Sequence, residues 1–242
     1  MKVEELFRQL SYGELSNLSV GTDGSGAIQE DKYPQIIQHT NAALRRLFTR
    51  FPLREKDVMI EQVAHITNYH LRIRFAESYG ADVSYPYIKD LPEEPFVEDV
   101  VRILRVHDST GRPLMLNDVG NPQSLFTPQP DVLQVPNPHA GVALGVVYQA
   151  YHAPLVDGQD GTSTTPEEVL NQEVEIPAFL EEALVAFIGY KVYSNMNGQE
   201  NLVKSQELMA TYEAACAEIE AMDLVNSTFH TSHSKLEQRG FI

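Results

Sequence analysis

Ile176-Pro177-Ala178-Phe179-Leu180-Glu181-Glu182-Ala183-Leu184-Val185-Ala186-Phe187-Ile188-Gly189-Tyr190-Lys191-Val192-Tyr193-Ser194 contains the longest strongly apolar uncharged run of the chain, residues 183–190. Phe179, Leu180, Ala183, Leu184, Phe187, Ile188 and Val192 surround the axis almost completely, which predicts a helix buried between other elements. Asn197-Gly198 breaks it. A second helix follows, with Leu202, Met209, Tyr212, Cys216 and Ile219 on one stripe, and the short break makes the pair an antiparallel hairpin. A buried helix needs partners, and the other end of the chain supplies them. Val3, Leu6, Phe7 and Leu10 fall at helical spacing up to Gly13. After a glycine-bearing loop, Tyr33-Pro34 opens a further helix with Asp31 as its cap. Its stripe is Ile36, Ile37, Thr40, Leu44, Leu47, Phe48 and Phe51, and Pro52 stops it.

Between these helical ends the period changes from 3.6 to 2. Val58-Met59-Ile60 reads as a strand, and residues 69–75 alternate Leu71, Ile73 and Phe75 with Arg72 and Arg74. Residues 97–107 are rich in β-branched side chains, Asp108-Ser109-Thr110-Gly111 has hairpin-turn chemistry, and residues 114–116 form the returning strand. Residues 131–135 and 142–151 are two more strands. Six prolines from Pro113 to Pro138 favour short, irregular or edge strands. The expected fold is α+β: a helical bundle from the N- and C-terminal helices, an inserted antiparallel β region, and an extended C-terminal tail. The divisions are residues 1–52, 53–162, 163–223 and 224–242. Residues 226–234 are polar and lack a helical period, so the tail is read as extended.

The chain has 242 residues and a formal net charge of −16. At about 150 residues per domain this is one elaborated domain or two small ones. The charge is lopsided: 14 basic and 17 acidic residues through Arg112, then 4 basic and 17 acidic. No Lys or Arg lies between Arg112 and Lys191. Such a surface repels phosphates, which disfavours tight nucleic-acid binding and anionic membranes alike. Cys216 is the only cysteine, so no internal disulfide forms. Met1-Lys2-Val3-Glu4-Glu5 is too acidic for a secretory leader. Residues 183–190 fall far short of the ~18–20 that span a bilayer. The expectation is a soluble chain made inside the cell.

Catalytic signatures are missing. There is no GxSxG, phosphate-loop, HExxH or CxxC pattern. The Gly21-Thr22-Asp23-Gly24-Ser25-Gly26 loop lacks the preceding strand and the lysine of a phosphate cradle. Asp157-Gly158-Gln159-Asp160-Gly161-Thr162-Ser163 lacks the third acid and the bidentate glutamate of a calcium loop. His65 and His70, five apart in a strand, point to opposite faces and do not share a metal. His107-Asp108 sits at a turn with no nucleophile to serve. Cys216 reads as a small buried apolar residue. No catalytic residue, cofactor or metal is therefore expected, and the chain is not read as an enzyme. Arg45, Arg46, Arg50 and Arg54 crowd the end of the second helix. They either grip an acidic partner or complement the helix dipole as a solvated end.

The order of parts resembles the head-to-tail adaptor (connector) proteins of short-tailed bacteriophages. The likeness rests on Ile176-Pro177 opening a helix with Glu182-Ala183-Leu184, on Gln199-Glu200-Asn201 before a long helix, and on Tyr212-Glu213-Ala214 within it. Pro130-Asp131-Val132-Leu133 matches the texture of the β part. The resemblance spans roughly residues 30–222.

It implies a structural virion protein of the neck and tail, made in the host cytoplasm. Such adaptors form a ring, usually a dodecamer, beneath the portal protein and receive the tail nozzle or tail tube protein. DNA passes through the channel without specific binding, helices line or flank that channel, the β part spreads outward, and no membrane is involved. A lumen that lets DNA slide should repel phosphate within a Debye length of ~8 Å. The candidates for facing it are Glu200, Glu207, Glu213, Glu218 and Glu220 on the last helix. The tail, with Phe229, Phe241 and Ile242, is expected to order on docking against a neighbour or the portal. The competing readings are another ring-forming tail component, a tail-completion or nozzle protein, and, last, a small soluble enzyme with an acidic site.

Overall fold

The computed structural model describes residues 1–16, 28–80, 83–158 and 165–225. Among the described residues it is a mixed α+β structure with five α-helices and two antiparallel sheets. The chain divides into two compact units, Met1–Leu47 with Pro154–Ile242, and Phe48–Ala153.

The first unit holds the helices. Helix α1 (Val3–Tyr12) buries Val3, Leu6, Phe7 and Leu10, the stripe its sequence shows. Its start is tied to a distant segment: Val3 N–H donates to Gln172 O at 3.0 Å and Val174 N–H to Met1 O at 2.8 Å. Helix α2 (Tyr33–Arg50) is preceded by a 3₁₀ turn, Glu30–Lys32. Asp31 therefore lies inside that turn rather than capping α2, and it pairs with Lys32 at 2.9 Å. Helix α3 (Pro166–Asn171) was not foreseen. Its start carries a reciprocal cap: Thr165 Oγ1 accepts from Glu168 N–H at 3.3 Å, and Thr165 N–H donates to the Glu168 carboxylate at 2.7 Å. Helix α4 (Glu181–Ser194) follows a 3₁₀ turn, Ala178–Leu180, and α5 (Gln199–Ala221) follows Gly198 at φ +118°, a conformation that favours glycine.

Helices α4 and α5 pack closely. Phe187 meets Tyr212 with ring centroids 5.1 Å apart, and Gly189 faces Leu208, so the two helices run antiparallel. A Cβ on Gly189 would lie 3.1 Å from a Leu208 methyl and 3.2 Å from Glu14 Cβ. The glycine is what allows this approach. On α5 the buried row is Ser205, Leu208, Tyr212, Cys216 and Ile219. Leu202, expected on this stripe, is 55% exposed, and Leu208 is buried in the inner row. The row advances by 3, 4, 4 and 3 residues, which keeps it on one side of a straight helix.

The second unit is built on β1 (Glu55–Glu61), β2 (Asn68–His70), β3 (Ile88–Lys89), β4 (Val100–His107), β5 (Phe126–Gln129), β6 (Val132–Gln134) and β7 (Ala143–Ala150). The sheets have the orders β3-β1-β7-β4 and β2-β6-β5. Strand β1 lies against β7 from Glu55↔Gln149 to Glu61↔Ala143. This register puts Val58 and Ile60 beside Val146 and Leu144 in one core with Tyr69, Leu71, Leu133 and Val135 from around the smaller sheet. The Gln149 side chain is fully buried and donates through Nε2 to the carbonyls of Phe48 and Phe51.

Residues 69–75 do not continue as one strand. Pairing stops at His70, and Ile73–Phe75 is a 3₁₀ turn. The cause is Glu98, whose carboxylate accepts from Ile73 N–H at 2.9 Å and from Arg72 at 2.8 Å, replacing ladder bonds. Arg72 also pairs with Asp131 at 2.7 Å. The returning strand after the turn at residues 108–111 shrinks to a bridge, His107↔Pro113, with Leu114 N–H donating to Val106 O at 2.8 Å. Pro113 has no N–H to extend it.

Candidate functional site

The expected site residues divide between the two units. Arg45 and Arg46 belong to the helical unit, Arg50 and Arg54 to the β unit. Arg46 is engaged within its own unit. Its guanidinium lies 3.0 Å from the Glu213 carboxylate, 5.3 Å from the Tyr212 ring centroid and 5.4 Å from that of Phe187. Partial burial opposes its charge, but Tyr212 and Glu213 outweigh that and hold its pKa above the ordinary arginine value. Arg50 lies over the Phe51 ring at 5.8 Å.

The five glutamates of α5 do not share one face. At 3.6 residues per turn Glu200, Glu207 and Glu218 fall together, on the side away from the buried row. Glu213 and Glu220 lie on the other flank. Glu200, Glu207, Glu218 and Glu220 are exposed and Glu213 is half-buried against Arg46. Lys204 reaches Glu207 only at 4.0 Å, because it also leans toward Glu14 at 3.8 Å. Glu200 and Glu218 meet no cation among the described residues. Two residues proposed for separate roles, Arg46 for a partner and Glu213 for a channel, thus meet each other.

Phe229, Phe241 and Ile242 lie outside the described residues, as do Gly21 to Gly26 and Gln159 to Ser163. Of the histidines considered earlier, His65 stands edge-on to Tyr85 at 4.7 Å, while His70 sits on β2. The Asp108 carboxylate is taken up by its own turn. It accepts from Thr110 Oγ1 at 2.7 Å and from the N–H groups of Thr110 and Arg112 at 2.8 and 3.0 Å. The Thr110 hydroxyl and the Arg112 amide hold its pKa below the usual aspartate range. Cys216 is fully buried.

Sequence reasoning did not single out two buried polar atoms of the helical unit, His39 Nε2 and the Tyr212 hydroxyl. Neither meets a hydrogen-bond partner among the described residues. Burial, with Lys191 nearby, lowers the His39 pKa. Burial beside Cys216 raises that of Tyr212, against a smaller opposing effect of Arg46. Among the described residues no group of three His, Cys, Asp or Glu is placed to hold a metal ion. No described helix is long and apolar enough to cross a membrane. No protein-family model matches the chain, and no curated protein is significantly similar to it.

Proposed function

We propose that this chain is a structural virion protein, a head-to-tail adaptor whose copies form a ring under the portal of a short-tailed phage. The helices of the first unit form the bundle around the channel in this reading. The tail nozzle or tail tube protein binds below, and DNA passes through without specific contacts.

The observation that carries the reading is the outer surface of α5. Glu200, Glu207 and Glu218 share an exposed face on which Lys204, 4.0 Å from Glu207, is the one cation paired among the described residues, beside a helix hairpin that the sequence already likened to this family. Repeated around a ring, such a face gives a negative lumen, which keeps a polyanion moving rather than bound. The lopsided charge of the chain supports the same reading, since residues 113–242 carry 17 acids and 4 bases.

Imaging the ring assembled on portal tests the orientation. Glu200, Glu207 and Glu218 should face the bore. A basic bore with these glutamates turned outward contradicts the electrostatic argument.

A further inference from the structure

Strand β1 is paired unequally on its two sides. Toward β7 it is matched along its whole length, with Ala150 N–H donating to Arg54 O and Gln62 N–H to Val142 O just beyond its ends. These bonds fix the parity of the strand: its even-numbered residues turn their N–H and C=O groups toward β7, and its odd-numbered residues turn theirs away. On that other side β3 supplies only two residues, Met59↔Lys89 and Ile60↔Ile88, followed by Glu61 N–H donating to Tyr87 O. The chain then leaves the sheet through a turn at residues 91–94 that contains Pro92 and is followed by Pro95. The backbone groups of Glu55 and Asp57 on this edge consequently meet no backbone partner among the described residues.

The departure opens a cleft of about 390 Å³ along that edge. Phe96 and Tyr148 lie beneath it, and Met59 and Leu91, 47% and 64% exposed, stand at its rim. Its polar lining is acidic in effect. Lys56 is held by Asp99 at 2.6 Å and Lys89 by Glu61 and Glu77 at 3.5 Å, whereas Asp57 and Glu94 meet no cation among the described residues. An open edge with unpaired backbone groups, an apolar floor and spare negative charge is suited to an added strand that carries Lys or Arg.

We propose that residues 226–242 of a second copy of this chain add as a strand to the open edge of β1. Those residues carry Lys235 and Arg239 against Glu237, a net charge of +1, while the other 225 residues carry −17. Their reading as an extended polar segment with Thr228, Phe229 and Thr231 suits strand pairing. Fully extended, the segment reaches about 55–60 Å, enough to leave its own body and meet a neighbour. The proposal deepens the ring reading, since it rests on copies of the chain associating. Attachment to portal plays no part in it.

The test is a fluorescein-labelled synthetic peptide of residues 226–242 titrated with the full chain and followed by anisotropy. Amide exchange at Glu55 and Asp57 is measured with and without the peptide. Saturable binding that slows exchange at both amides is expected. Asp57→Lys should weaken binding about tenfold, and a peptide carrying Lys235→Glu and Arg239→Glu should recover it on that variant. Asp57→Pro removes the outward N–H while leaving the β7 ladder intact, and should abolish binding. Circular dichroism checks that each variant folds, and Asp57→Lys carries the test if the proline variant does not. Absence of saturable binding, binding indifferent to Asp57→Lys, or unchanged exchange at Asp57 overturns the proposal. Any of these results leaves portal attachment to be judged separately.

Discussion

Arg46 and Glu213 join α2 to α5 through a 3.0 Å ion pair, and the same guanidinium lies over the rings of Tyr212 and Phe187. Both members are about half exposed, so the ion pair alone contributes little, about 0.2–1 kcal/mol. The two ring contacts add roughly 0.5–1 kcal/mol each. The planar guanidinium thus acts more as a packing plate on α4 and α5 than as a charge. In the folded chain this guanidinium is already engaged by Glu213 and the two rings.

Arg46→Ala should therefore destabilise the helical unit by about 1–2 kcal/mol, whereas Glu213→Gln should shift it by less than about 1 kcal/mol. Urea unfolding of both variants and of the double variant measures the coupling. Equal effects from the two single variants contradict the assignment of most of the contact to the rings.

Gly189→Ala reverses a usual rule. In an open helix the change gains about 1 kcal/mol. Here the new methyl meets Leu208 and the root of the Glu14 side chain, so overpacking of about 1–3 kcal/mol should win. Against a Leu208→Ala background the cost of Gly189→Ala should shrink, so that the two losses are less than additive. A Gly189→Ala chain that unfolds at higher urea than the parent contradicts the close approach.

The amount legible in the sequence followed the strength of each local pattern. Helices α1, α4 and α5 and strands β1, β4 and β7 announced themselves by different signals: a buried stripe in α1 and along most of α5, apolar residues nearly all round α4, and runs of strand-forming residues in β1, β4 and β7. Residues 69–75 misled because their alternation is real, yet a carboxylate distant in sequence, Glu98, takes the backbone donor that a strand needs. The α3 signature, Thr165-Pro166-Glu167-Glu168, was present and short enough to overlook. Of the candidate site, the exposed acids of α5 were legible from helical spacing. The Arg46–Glu213 pair was not, because nothing local says which helix faces which. The open edge of β1 was hidden for the same reason, as it depends on where β3 leaves the sheet.

His39 gives a pH signature. Its folded pKa lies below the ordinary ~6.5 because burial and Lys191 disfavour the imidazolium. The unfolded chain therefore binds more protons below that value, so this stability is present above pH ~6.5 and declines as the pH falls through it. His39→Gln should flatten the decline in the urea midpoint between pH 7.5 and 5.5 relative to the parent chain. Parallel profiles for the two proteins contradict the assignment.

Val225 is only 7% exposed, so removal of the tail is best begun after it. A chain ending at Val225 should keep its circular dichroism and urea midpoint while losing attachment to the portal. Unchanged attachment contradicts a role for residues 226–242 in docking to the portal.

The central claim is tested most directly by sedimentation velocity of the purified chain, alone and mixed with portal rings of the same phage. The account predicts that the chain moves onto the portal with a mass gain of fixed ring stoichiometry, whether or not it is a monomer by itself. A chain that sediments unchanged beside intact portal rings contradicts it.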